Sequence, residues 1–174
     1  MRYIAFLRAI NVGGHIVKMD ALRKAFQAMG FANVETFIAS GNVIFETRSA
    51  DDASIERKIE AHLKKALGYE VGTFVRTCAE VAAAAAHEPF AVKNDCAVYL
   101  VFLKTAPDRA LTQRVMTLRS DADDFHARGR ELYWQSRGRI SESPAAVPFA
   151  KAFGALGTMR NLTTVRKLAA KYRE

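Results

Sequence analysis

Arg2-Tyr3-Ile4-Ala5-Phe6-Leu7-Arg8-Ala9-Ile10-Asn11-Val12-Gly13-Gly14 is the stretch on which the reading of this chain turns. Residues 2–10 are apolar on both alternating faces, with Tyr3, Ala5 and Leu7 on one and Ile4 and Phe6 on the other. A central strand covered on both sides has this pattern, and Gly13-Gly14 breaks it. The run ends at Arg8, too soon for a signal h-region or a membrane span.

Working outward, Met19, Leu22, Phe26 and Met29 fall at helical spacing, and Gly30 follows as a C-cap. Residues 33–38 alternate as a strand, Ala39-Ser40-Gly41-Asn42 turns, and residues 43–47 make a third strand. Asp51-Asp52 opens a helix with acids where its dipole favours them. Ile55, Ile59, Leu63 and Leu67 line its buried face, and Gly68 stops it. Val71, Thr73 and Val75 mark a fourth strand. The order β-α-β-β-α-β is the ferredoxin-like unit. Thr77-x-x-Glu80 then reads as a capping box for a helix through the alanine run at 82–86. A strand at 97–103, a helix from Asp108 to about Arg119 and a hairpin around Arg128-Gly129-Arg130 follow. The spacing then predicts a helical stretch from Ser143-Pro144 to Phe153, a break at Gly154 and Gly157, and a last basic helix at 161–173. The expected architecture is α+β: a ferredoxin-like part at 1–77 packed against a second α+β part at 78–174 with C-terminal helices. The second half reads as a partial repeat of the first, with no sequence identity between them.

At 174 residues and half apolar, the chain buries roughly 70% of its unfolded surface without a metal or disulfide. Cys78 and Cys96 are too far apart for a C-x-x-C motif, and the expectation is reduced thiols in a cytoplasmic protein. The net charge of +8 is uneven. Residues 126–174 carry 10 basic and 3 acidic groups, whereas residues 78–125 carry 5 and 7. A basic tail suits an anionic partner, although solubility alone permits such a face.

Two polar motifs carry the candidate chemistry: Arg8 to Gly14, and Ser40-Gly41-Asn42. In a ferredoxin-like sheet the first and third strands are central, adjacent and antiparallel. The end of the first therefore lies beside the start of the third, next to the first helix's N-terminus. Arg8, Asn11, Gly13, Gly14, Ser40 and Asn42 then outline an anion or nucleotide site. The competing structural reading makes the glycines turn residues and gives Asn11 and Asn42 to turn backbone. Arg160 and Asn161, before the last helix, are further ligand candidates, with helix capping as their structural role.

The four histidines have no ligand spacing, and no metalloprotease, Walker, hydrolase-elbow or dinucleotide motif is present. No catalytic residue, metal or cofactor is therefore assigned. Asp51-Asp52 and Asp123-Asp124 read as capping or solvated acids, and Tyr133-Trp134 as packing. The leading expectation is a small anionic ligand (nucleotide, phosphate or carboxylate) at the edge of the first sheet. The alternative is a nucleic acid bound by the basic C-terminal third, with no membrane partner in either case. Strand aromatics such as Tyr3, Phe6 and Phe45 loosely imitate an RNA recognition motif, but the strands read as covered on both faces.

With these motifs placed, the chain resembles the domain of unknown function 1697 family over essentially its whole length. The resemblance rests on Arg8-Ala-Ile-Asn11-Val-Gly-Gly14 and Phe37-Ile-Ala-Ser40-Gly-Asn42-Val. It continues through Arg76-Thr77, Pro89-Phe90, 138–141 and Thr158-Met-Arg160-Asn161, with Thr164-Val165 and Lys167-Leu168. Members typically carry Trp-Asn where this chain has Leu162-Thr163. The resemblance implies a bacterial, cytoplasmic α+β protein with a ferredoxin-like first part, and it implies no activity.

Overall fold

The computed structural model describes residues 1–11, 13–38 and 41–173. It divides into two compact units, Met1–Val81 with Tyr172–Glu174, and Ala82–Lys171. The division falls inside a helix, four residues beyond the 77/78 boundary that the sequence predicts.

The first unit runs β1 (Arg2–Arg8), α1 (Met19–Ala28), β2 (Ala32–Thr36), β3 (Asn42–Glu46), α2 (Asp52–Leu67) and β4 (Gly72–Thr77). Its antiparallel sheet has the order β2-β3-β1-β4, the ferredoxin-like arrangement. Local chemistry sets the helix ends. Asp51 accepts from the Ala53 amide at the start of α2, and Gly68 closes it in the left-handed conformation. Tyr3, Ala5 and Leu7 of β1 pack with Leu22 and Phe26 of α1 and Ile55, Ile59 and Leu63 of α2. On the opposite face Ile4, Phe6, Ile44 and Phe74 are equally buried. The continuous apolar run of β1 is therefore a strand hidden on both faces, as its pattern predicts.

α3 (Cys78–Ala86) starts at the capping box: Glu80 accepts from the Thr77 amide at 2.8 Å, and Thr77 Oγ1 accepts from the Glu80 amide at 3.1 Å. The second unit holds β5 (Cys96–Leu103), α4 (Arg109–Met116), β6 (Asp123–Arg128), β7 (Glu131–Arg137), α5 (Ala146–Phe153), β8 (Gly157–Asn161) and α6 (Leu162–Lys171). Its sheet order is β6-β7-β5-β8. Val101, Phe125, Leu132, Trp134, Phe149 and Phe153 form its core.

β8 corrects the sequence reading, which placed only a break and a helix start at 154–161. The segment has no apolar alternation to announce a strand. Its identity comes from pairing with β5, Gly157 opposite Leu103 and Arg160 opposite Leu100. Gly157 fits because the strands approach closely: a Cβ there would lie 2.7 Å from Val101 Cγ1 and 2.9 Å from the Phe102 carbonyl oxygen. With β8 the second unit becomes a complete β-α-β-β-α-β repeat.

The repeat also leaves a short sequence trace. Gly72-Thr73-Phe74-Val75-Arg76-Thr77 corresponds to Gly157-Thr158-Met159-Arg160-Asn161, one residue shorter. Both arginines are buried, and each donates from Nη1 to the preceding carbonyl at 2.8 Å, Arg76 to Val75 and Arg160 to Met159.

Candidate functional site

The two polar motifs of the first unit meet at one end of its sheet. β1 and β3 pair with Ala5 opposite Val43 and Phe6 opposite Asn42, so the end of β1 adjoins the start of β3. The Leu7 amide donates to the Gly41 carbonyl at 2.8 Å. Gly41, at φ 73°, packs so tightly that a Cβ would lie 3.0 Å from Ile10 Cγ2 and 3.1 Å from Leu7 Cβ. Only glycine combines that dihedral with that approach.

Within this edge the residues divide between construction and availability. Asn42 is fully buried; its Nδ2 donates to the Phe37 carbonyl at 2.9 Å, and its own carbonyl accepts from the Phe37 amide. It holds the β2–β3 turn, as the structural reading has it. Asn11 Oδ1 accepts from the Val17 amide at 2.9 Å, bridging the loop before α1. Its amide nitrogen has no partner among the described residues. Gly13 and Gly14, at φ 61° and 82°, are exposed and reverse the chain between these anchors. Arg8 closes β1 opposite Gly72, half-buried, and among the described residues its guanidinium has no hydrogen-bond or ion-pair partner. Ser40 lies outside the described residues.

Sequence reasoning missed several contributors. Ala9 and Ile38 are held at φ 61° and 58°, a conformation costing a non-glycine residue roughly 1–2 kcal/mol. Ala9 lies inside the first motif and Ile38 precedes the second, and neither residue type signals a left-handed position. Tyr69, remote in sequence, donates its hydroxyl to the Ile10 carbonyl at 2.7 Å and stacks on His15 at 4.5 Å. Lys18 occupies the N-cap of α1 and supplies no side-chain cap, so the first amides of α1 are left to solvent or a ligand. Asp20, in the first turn, is engaged by Arg23 at 2.7 Å.

The remaining candidates sit in the second unit. Arg160 is 9% exposed and donates from Nη1 to Thr158 Oγ1 and the Met159 carbonyl. Burial lowers its pKa to about 10, still far above neutrality. Asn161 Oδ1 accepts from the Thr163 amide at 2.8 Å and so caps α6.

Asp123 corrects the reading as a capping or solvated acid: it is buried and accepts from Trp134 Nε1 and Ser143 Oγ, each at 2.7 Å, because the indole N–H of the packed Trp134 needs an interior acceptor. Its neighbour Asp124 pairs with Arg119 at 2.8 Å. Tyr133 donates to the Ala84 carbonyl, and burial raises its pKa to about 12. Among the described residues no cluster of three or more His, Cys, Asp or Glu is placed to hold a metal. Cys78 and Cys96 are free thiols. No helix among the described residues is long and apolar enough to cross a membrane.

No curated protein matches the sequence. The solved structure of the conserved bacterial protein SP0830 from Streptococcus pneumoniae superposes with a TM-score of 0.82. That likeness covers 99% of this chain and 98% of the other at 21% identity, and it speaks for the shared fold alone. The model of the family described as "Protein of unknown function (DUF1697)" matches residues 1–133, which include both polar motifs and the whole first unit except its last residues, and the chain belongs to that family.

Proposed function

We propose that the protein binds a small anionic ligand at the edge of the first sheet, between Arg8, the Asn11 amide and the Gly13-Gly14 turn. One observation carries the reading: Arg8 is half-buried at a strand end and its guanidinium has no partner among the described residues. An arginine so placed carries a desolvation cost that an anion offsets through charge-assisted, bidentate hydrogen bonds. The open N-terminus of α1, with Lys18 at its cap, adds a favourable dipole. Strained backbone at Ala9 and Ile38 supports the same place, since such strain collects where geometry serves a ligand. The ligand class is a phosphate, nucleotide or carboxylate, and the setting is the reducing cytoplasm, in keeping with the two free thiols.

The test is thermal stabilisation by phosphate or nucleotides. A ligand at about 100 times its Kd adds roughly 2.7 kcal/mol, and Arg8→Ala abolishes the gain. A nucleic-acid partner is the second reading, favoured by exposed Lys167 and Lys171 on α6. Its mark is oligonucleotide affinity that falls steeply with salt. The burial of Tyr3, Phe6 and Phe45 speaks against base stacking on the first sheet.

A further inference from the structure

The second unit contains an open pocket of ≈ 320 Å³, at the small end of the range for metabolite sites. Its walls come from segments distant in sequence: the chain after α3 at 87–93, the first residues of β5, Gln135 of β7 and the start of α6. One side is apolar, with Phe90, Val98 and Leu162. The other is polar and bears more positive than negative charge. Lys93 has no ion-pair partner among the described residues. Arg166 is engaged by Glu88 at 2.8 Å and donates weakly to the Ala85 carbonyl. His87 also lines the pocket, and its Nε2 is buried with no hydrogen-bond partner among the described residues.

The internal repeat shows what is distinctive about this place. At the corresponding junction of the first repeat, Glu80 lies in the first turn of α3 and binds back to the Thr77 amide and hydroxyl. The helix thus supplies its own carboxylate at its positive end. In the second repeat Asn161 stands at the Thr77 position and Thr164 at the Glu80 position. The first turn of α6 contains no acid, and Asn161 takes up only the Thr163 amide. The second copy lacks the internal carboxylate where the pocket opens.

We propose that this pocket binds a small monocarboxylate with an apolar or aromatic body, the carboxylate lying between the start of α6 and Lys93 and the body against Phe90, Val98 and Leu162. The site lies wholly in the second unit and is independent of the edge at Arg8.

Benzoate, benzamide and acetate are suitable probes, because benzamide keeps the ring without the charge and acetate keeps the charge without the ring. Binding to the full chain is followed by amide chemical shifts. Benzoate is expected to shift Asn161, Leu162, Thr163 and the His87 ring, with benzamide and acetate each about tenfold weaker or more. Lys93→Glu, a change at an exposed position, weakens benzoate by about tenfold. Val98→Trp, which fills the pocket, removes binding, and Arg8→Ala leaves it unchanged. Equal affinity for benzoate and benzamide, shifts away from these residues, or no saturable shift at millimolar benzoate overturns the proposal. Loss of benzoate binding in Arg8→Ala, with Lys93→Glu unaffected, assigns the carboxylate to the first sheet and likewise overturns it.

Discussion

Gly157→Ala discriminates sharply between the strand observed at β8 and the break before the last helix that its sequence predicts. In β8 the new methyl would lie 2.7 Å from Val101 Cγ1, 2.8 Å from Leu103 Cδ2 and 2.9 Å from the Phe102 carbonyl oxygen. The two side chains belong to the core beneath the second sheet and are 2% and 3% exposed, so neither has room to turn aside. The carbonyl is backbone and moves only with β5. Overpacking of this kind costs about 1–3 kcal/mol. For a chain of this length each kcal/mol lowers Tm by roughly 2–4 °C, so the expected fall is about 2–12 °C. The assay is thermal unfolding followed by circular dichroism, with urea denaturation as a second measure. Were 157–161 a loop or helix start, the same substitution would stabilise by up to about 1 kcal/mol, through lower unfolded-state entropy and better helix propensity. A Tm that stays constant or rises refutes β8 and the completed repeat with it.

Thr77→Ala removes one half of the capping box and is expected to cost about 1 kcal/mol in urea denaturation. Asp123→Ala strands the indole N–H of Trp134 and the hydroxyl of Ser143. It should cost about 1–3 kcal/mol, with a shift in Trp134 fluorescence, the only tryptophan in the chain. Burial, followed by the charges of Arg128 and His126, holds the His87 pKa below its ordinary 6.5. The folded state then binds fewer protons than the unfolded state. The stability linked to His87 is full above pH 6.5 and is lost as pH falls through the folded-state pKa. Proton NMR should place the His87 midpoint below that of an exposed histidine, and His87→Gln should flatten the stability profile in that window.

The parts of the fold that were legible are those set by local chemistry. The continuous apolar run of β1, the Asp51 and Gly68 caps of α2, the Thr77–Glu80 box and the Asp108 cap of α4 each involve residues a few positions apart. β8 was not legible, because a five-residue polar strand is specified by its partner β5 and by the space at Gly157, which lie outside the segment. Missing it also hid the correspondence between the Arg76 and Arg160 strands. At the candidate site, topology correctly brought the two motifs together, yet residue type alone left the role of each open. Asn42 serves its turn, Asn11 keeps its amide nitrogen available, and both occur in equally polar, glycine-rich motifs. The left-handed backbone at Ala9 and Ile38 and the Tyr69 bond to Ile10 are tertiary effects with no local signature. The pocket of the second unit collects residues from four separated segments, which no motif could announce.

The central claim is that Arg8 is held ready for an anion. Isothermal titration of the intact protein with phosphate and nucleotides, which the monocarboxylate pocket of the second unit does not suit, beside Arg8→Ala and Arg8→Lys, tests it most directly. The account predicts saturable binding of at least one of these anions by the unaltered chain. Binding should be absent in Arg8→Ala and partly kept in Arg8→Lys, which preserves the charge but not the bidentate geometry. Undiminished binding in Arg8→Ala, or no binding of any anion at millimolar concentration, contradicts it.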